Sequence, residues 1–291
     1  MMHDLVIIGS GPAGLSAAAY ALSKHLNVVV LSSKMGGKVG QRQWLANQKE
    51  REVLAGEQAF LALYNEVNAH QACILEDYVV AITEHEDALA VTTERGMFET
   101  TTVLIATGAQ PTKLGIARED DLVGRGLAYS ATTHAHLLAG RDVAVIGATG
   151  RALRGAAELL QFARNVLIVA PQHEQLDSQL GQQLRAHARI KVLEGYTVSA
   201  IDAPEGLVRA IQITRGGMTH RVPIDAVFVE LGLVPNTHMI RSLVTLDNKG
   251  FILTDARHQT SRAGVFAAGD VTSNVGEHML IAIGDGVRAA Q

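Results

Sequence analysis

Cysteine is nearly absent. Cys73 stands alone among 291 residues, so the chain can form no internal disulfide and no Cys-rich zinc site. A single thiol fits a reducing compartment. Aromatic residues are scarce at 4%, and Trp44 is the one tryptophan, read as a hydrophobic staple or loop anchor. Neither sign of charge dominates: 25 Lys and Arg face 29 Asp and Glu. That balance gives no general basic face for nucleic acid or a membrane surface. The signatures GxSxG, GxxxxGK[ST] and HExxH are missing, as are sequence repeats and low-complexity segments.

Residues 5–22 carry no charged side chain. Yet Gly9, Gly11, Pro12 and Gly14 interrupt that stretch, which is wrong for a membrane span. His3 and Asp4 precede it instead of a Lys/Arg cluster, which is wrong for a signal peptide. A soluble, cytoplasmic protein is therefore expected. The composition, 47% hydrophobic and 19% charged, is that of a folded chain. Its length suggests two domains, at roughly 150 residues each.

Leu5-Val6-Ile7-Ile8 is a short apolar run suited to a strand buried on both faces. It enters Gly9-Ser10-Gly11-Pro12-Ala13-Gly14, an Ala-rich helix follows, and residues 27–31 read as a second buried strand. Strand, GxGxxG, helix, strand is the dinucleotide fingerprint in its required context. Gly9 makes the turn, Gly11 lets a pyrophosphate approach the backbone, and Gly14 lets the helix pack closely. The acid expected about twenty residues on, for a ribose, is replaced by Ser32, Ser33 and Lys34. The serines could bond a ribose hydroxyl more weakly.

Three further segments carry a family resemblance: the ATG turn within residues 103–109, VFVELGLVPN at 227–236, and GVFAAGDV at 264–271. In this order and spacing the chain resembles the two-domain flavoprotein disulfide reductases, above all the low-molecular-weight thioredoxin reductases. The resemblance implies an α/β fold of two Rossmann-like three-layer domains, the second inserted in the first. It sets an FAD-binding domain at 1–112 plus 237–291 and a degenerate NAD(P)-binding-like domain at 113–236. It also implies FAD at Gly9, Gly11, Pro12, Ala13 and Gly14, at Gly36 and Gly37 near the flavin ring, and at Thr107 and Gly108. Gly269 and Asp270 match the second FAD motif, where the acid bonds the ribityl chain. Ser32, Lys34 and Val80 are counted with them, and Glu277, His278 and Met279 match the stretch along the flavin's pyrimidine edge. A homodimer is implied by the resemblance alone.

The chain departs from this family in two places. Thioredoxin-reducing members carry Cys-x-x-Cys followed by an acid in the middle domain. Here Ser130 and Thr133 stand at the cysteine positions and His134 at the acid's. A hydroxyl cannot exchange with a disulfide, because that chemistry needs a thiolate. These three residues are the candidates to face the flavin. His134 and His136 form an HxH pair with no third metal ligand nearby in sequence.

The second departure is the loop Gly147-Ala148-Thr149-Gly150-Arg151-Ala152, which follows the strand-like run 142–146 and precedes a helix expected over 152–163. A side chain replaces its middle glycine. The following strand, near 166–170, leads into Pro171-Gln172-His173-Glu174-Gln175, with no Lys or Arg before Arg185. The family's arginine cluster for NADPH is missing, so NADPH binding is not expected; Glu174 could meet the ribose of NADH. Arg151 and Arg154 lie in the first helical turn, where cations oppose the helix dipole. Two solvated arginines are the plainer reading. The sharper one is an anion or second-nucleotide site at Gly147, Thr149, Gly150, Arg151 and Arg154, with a second flavin as one candidate.

The expectation is an FAD-dependent oxidoreductase without a redox-active dithiol and without NADPH dependence. Electrons would come from a small electron-transfer protein, a second flavin or another small redox partner. Two alternatives are an NAD(P)H-dependent reductase of low-molecular-weight disulfides that uses flavin directly, and a non-catalytic flavin-bound sensor or interaction module.

Overall fold

The computed structural model describes residues 2–39, 45, 55–70, 73–85, 88–131, 135–240, 242–274 and 276–291. They form two compact units. Unit 1 holds the described parts of Met1–Gln41 and Leu54–Gln110 together with Val234–Gln291; unit 2 is centred on Pro111–Leu233. The chain crosses between them at the strands Ala109–Pro111 and Leu233–Pro235, each ending on a proline with a fixed φ.

Unit 1 is built on a parallel sheet, in the order Val265–Ala267, Val103–Ile105, Leu5–Ile8, Val28–Ser32, Ile74–Glu76. Every residue of Leu5–Ile8 and Val28–Ser32 is buried, as runs rich in Val, Ile and Leu at the centre of a parallel sheet should be. Alternate residues face opposite ways. Leu5, Ile7, Val28 and Val30 pack against the helix Pro12–Ser23 and its neighbours. Val6, Ile8, Val29 and Leu31 pack against Val79, Ile82, Leu89 and Val91 of the antiparallel sheet Val79–His85, Ala88–Thr93, Met97–Thr100. Each fully buried aliphatic side chain contributes roughly 1.5–3 kcal/mol. The helix Pro12–Ser23 starts on a proline, whose φ suits the first helical position. Small residues let the helix Met279–Ala289 lie directly against it: a side chain at Gly286 would overlap the Ala13 carbonyl.

Unit 2 repeats this plan. Its parallel sheet runs Ile190–Glu194, Asn165–Ala170, Asp142–Ile146, Ala226–Val229, Leu127–Ala128. The helices Gly150–Leu159 and Gln179–Ala186 belong to it. The antiparallel sheet Thr197–Asp202, Ala210–Arg215, Met218–Pro223 shares a core with Ala144, Ile146, Leu167 and Val169. The chain therefore has the two Rossmann-like three-layer units expected of the fold.

The registers make the two units comparable residue by residue. Val103 pairs with Val6 and Val265 in unit 1; Val227 pairs with Ala144 and Leu127 in unit 2. Counted from Gly9 and Gly147, this matches Ala13 with Arg151, Ala106 with Glu230, and Gly269 with Ala131.

Candidate functional site

In unit 1 the glycine loop is open at the front and tight behind. Gly9 has φ +110°, and its N–H donates to the Leu31 carbonyl at 2.8 Å. A side chain on Gly9 would strike the Ala106 carbonyl, and one on Gly14 would strike Gly9 itself. Gly11 differs from both. Its φ of −73° suits any residue, and nothing lies within 4 Å of where its Cβ would be. Neither conformation nor packing requires glycine there, which leaves close approach by a ligand as the reason. No side chain caps the helix start at Gly11, so N–H groups there remain for an anion.

The other expected FAD segments gather at this loop. A Cβ on Gly37 would lie 3.8 Å from the Gly11 Cα, so residues 36–38 lie beside the glycine loop. Lys38 Nζ lies 2.5 Å from a carboxylate oxygen of Asp270. A Cβ on Gly269 would sit 3.0 Å from the Ala13 Cβ. The ATG turn is tied down by a residue to which the sequence assigns no role. Asn236 donates from Nδ2 to the Thr107 carbonyl at 2.8 Å and from its N–H to the Gly108 carbonyl at 3.0 Å. Thr107 Oγ1 donates to the Asn236 carbonyl at 2.7 Å. The signal for Asn236 was its place at the end of the 227–236 motif.

Other candidates have structural work of their own. Ser32 is buried; its hydroxyl donates to the Lys34 carbonyl at 2.9 Å and accepts from Ser10 at the same distance. That network shapes the turn after the strand. Val80 is exposed on the strand Val79–His85. His278 caps the helix Met279–Ala289, accepting from the Leu280 N–H at 3.1 Å, and Glu277 is half-buried just before it. Cys73 is buried in the unit 1 core, and burial pushes its thiol pKa up. It is held as a neutral, unreactive thiol.

Of the catalytic candidates, Ser130 is half-buried in unit 2, two residues beyond the strand Leu127–Ala128. Thr133, His134 and Trp44 lie outside the described residues. His136 is exposed, and the described residues contain no cluster of three or more His, Cys, Asp or Glu suited to a metal ion.

The unit 2 loop has the same turn and a different front. Gly147 has φ +123°, and a Cβ there would lie 2.6 Å from the Glu230 carbonyl. The buried Ala148 donates its N–H to the Glu174 carboxylate at 2.9 Å. Thr149 caps the helix by accepting from the Ala152 N–H at 3.1 Å. A Cβ on Gly150 would meet Gln175 Oε1 at 2.7 Å. Arg151 forms an ion pair with the buried Glu230 and donates to the Tyr129 carbonyl. Glu230 also accepts from the Ala131 N–H at 2.8 Å. Arg151 is thus engaged within the chain, while Arg154 is exposed.

Two parallel-sheet units, each holding a strand, glycine turn and helix, define a protein of the dinucleotide-binding class. The comparison with known families names it: residues 3–286 match the pyridine nucleotide-disulphide oxidoreductase family, and the chain belongs to it. It is a flavoprotein oxidoreductase of thioredoxin-reductase-like fold, and the bare Gly11 front of unit 1 fits the FAD of that family. A similar protein is the "34.2 kDa protein in rubredoxin operon" of Clostridium pasteurianum, 30% identical over 99% of this chain and 94% of that one. The F component of alkyl hydroperoxide reductase from Staphylococcus aureus is 29% identical over 99% of this chain, which spans 58% of that relative's length. Among solved structures, thioredoxin reductase from Streptococcus pyogenes matches with a TM-score of 0.86 at 29% identity, covering 99% of this chain and 96% of that one. No described helix is long and apolar enough to cross a membrane.

Proposed function

We propose that the chain is an FAD-dependent oxidoreductase that works without a redox-active dithiol and takes electrons from a donor other than NADPH. A small electron-transfer protein is the donor class that fits. The observation carrying this reading is the thiol inventory: one cysteine, buried in the unit 1 core with its pKa raised, and Ser130 where the family has a thiol. A dithiol relay needs an accessible thiolate.

Supporting detail comes from the segment after the strand Asn165–Ala170. NADPH recognition calls for cations there, to meet a 2′-phosphate. Residues 171–175 hold no Lys or Arg, and His173 is tied to Glu194 and Asp177 at 2.6 and 2.8 Å. The donor class is supported by the relative described as a protein in a rubredoxin operon. A homodimer remains part of the proposal on the resemblance alone; sedimentation tests it.

Bound FAD supplies the electron transfer. Around it, the N–H groups at the start of the helix Pro12–Ser23 would hold the pyrophosphate. Asp270 would accept from a ribityl hydroxyl, and Lys38 would balance that carboxylate and the incoming phosphates. Ser130 and its neighbours in unit 2 can bond a substrate or order water, and cannot form a disulfide.

An anaerobic titration followed at the flavin absorption band tests the reading, with flavin per chain counted on the same sample. Bleaching by a reduced ferredoxin- or rubredoxin-type protein, and not by NADPH or NADH, is expected, with one flavin per chain. Rapid bleaching by NADPH would overturn the proposal and favour direct reduction of small disulfides. A count of two flavins would assign the donor role to a second flavin.

A further inference from the structure

Unit 1 provides the yardstick for unit 2. In unit 1 the residues at and beside the glycine loop, Ala13, Ala106 and Gly269, are all small. The matching positions of unit 2 carry Arg151, Glu230 and Ala131. The first two side chains form an ion pair, with Glu230 2% exposed and Arg151 18% exposed. The pair joins elements that a dinucleotide would otherwise bridge: the helix start after the glycine loop and the end of the strand Ala226–Val229. We infer that Arg151 and Glu230 together replace a dinucleotide's phosphate in unit 2 and fasten the segment that carries Ser130. This inference rests on the reading above that unit 2 serves no NADPH.

The fastening is bilateral. Arg151 donates to the carbonyl of Tyr129, the residue before Ser130. Glu230 accepts from the N–H of Ala131, the residue after it. A third anchor holds the Tyr129 ring. Its hydroxyl donates at 2.9 Å to the buried Glu119, which also accepts from the Leu114 and Gly115 N–H groups. Burial, and then the Glu119 carboxylate, push the Tyr129 phenol above the ordinary tyrosine range, so it stays a donor. Ala131 is further confined by Gly155, where any Cβ would come within 2.7 Å of the Ala131 Cβ.

The loop's other polar groups are met in the same way. Thr149 stands where unit 1 has Gly11 and caps the helix itself. The Glu174 carboxylate takes the Ala148 N–H. An incoming phosphate would have to displace Glu230 from Arg151 and Glu174 from Ala148. Arg151 and Glu230 are therefore positioning residues for Ser130, and Arg151 is not an open anion ligand.

The test uses the full-length, FAD-loaded protein with inorganic pyrophosphate as the calorimetric probe, and amide hydrogen exchange at residues 129–131. Wild type should show no pyrophosphate binding and strong protection at Ala131. Glu230→Gln keeps an acceptor for the Ala131 N–H and releases the guanidinium. It should gain pyrophosphate affinity by about tenfold or more, a change of at least 1.4 kcal/mol by the conversion constant. Arg151→Lys should keep most of the Ala131 protection. Should Glu230→Gln fail to fold, the double variant Arg151→Met/Glu230→Leu removes the pair without leaving a lone buried charge. It should lose protection at residues 129–131 and gain no pyrophosphate binding. Pyrophosphate binding to wild type, or variants with wild-type exchange and affinity, would overturn the inference. Bleaching of wild-type flavin by NADPH, with these variant results intact, would instead overturn only the choice of electron donor.

Discussion

Two loops with one backbone plan have diverged in opposite directions. Both turn on a glycine with φ above +100°, and both donate that glycine's N–H to a neighbouring strand at 2.8 Å. The unit 1 loop has no long or polar side chain at the matching positions: Gly11 faces open space and Ala13 and Ala106 are short. The unit 2 loop presents Thr149, Arg151 and Glu230, and each is bonded within the chain. The same fold therefore offers a ligand site in one unit and a filled one in the other. What distinguishes them is whether the helix start is capped by the chain or left for an anion.

Breaking the unit 2 pair should have the largest effect. Glu230→Ala leaves Arg151 mostly buried without its counter-charge, which typically costs about 3–5 kcal/mol. Chemical denaturation of the apoprotein should show this as a lower midpoint for unit 2. Replacing both partners with apolar residues should recover most of the loss, because buried pairs often do no better than a packed apolar pair. A Glu230→Ala protein of wild-type stability would mean that the pair is solvated in solution.

The matching change in unit 1 should act on binding and not on folding. In Gly11→Val the added Cβ has no protein atom within 4 Å. The apoprotein should therefore fold with a midpoint close to wild type. FAD should bind about 100-fold more weakly, because one or two phosphate hydrogen bonds are lost at roughly 1.5–3 kcal/mol each. Flavin release measured by fluorescence checks this. Equal FAD retention would show that the pyrophosphate does not sit over Gly11.

Unit 1 was largely legible in the sequence, because its signals are local. Four buried apolar residues, a GxGxxG and an Ala-rich run are contiguous, and the structure sets them out as strand, turn and helix. What stayed hidden depends on register. Glu230 lies 79 residues from Arg151 and looks, in sequence, like one acid within an apolar run. Only the pairing of Ala226–Val229 with Asp142–Ile146 brings it to the glycine loop. For the same reason Arg151 read as a solvated cation or an anion ligand, and a pairing inside the chain had no signal. Ser32 read as a ribose contact because its depth, and its bonds to Ser10 and Lys34, are three-dimensional facts. The two units share no visible sequence repeat, yet they share layer order and register, since a buried strand asks only for apolar residues of suitable size.

A smaller effect should come from the cap that unit 2 supplies to itself. Thr149→Ala removes the acceptor for the Ala152 N–H, a loss of about 1 kcal/mol for typical caps. Gly11→Ser in unit 1 tests the converse: a new cap would leave stability within a few tenths of a kcal/mol while competing with FAD for the same N–H groups. If Thr149→Ala leaves stability unchanged but the Gly11→Ser protein still holds FAD as tightly as wild type, the contrast in capping is not what separates the loops.

The smallest effect concerns pH and the segment that follows the strand Asn165–Ala170. His173 Nδ1 lies 2.6 Å from Glu194 and its Nε2 lies 2.8 Å from Asp177. Glu194 first, then Asp177, raises the His173 pKa above the ordinary histidine value. Glu194 is correspondingly lowered, with Arg185 adding to His173. A histidine that binds its proton more tightly when folded stabilises the fold fully below its unfolded pKa of about 6.5. That contribution fades as pH rises through the folded value. Residues 171–178 should then lose the tie between Glu194 and Asp177, while Glu174 remains bonded to the Ala148 N–H. Hydrogen exchange at residues 173–177 should accelerate modestly from pH 6 to pH 8.5 beyond the intrinsic pH dependence, and His173→Gln should abolish that excess. Exchange at Gly9 to Gly14 should show no excess over the same range. A pH response shared by both loops would mean that they are coupled through the whole protein and not through His173.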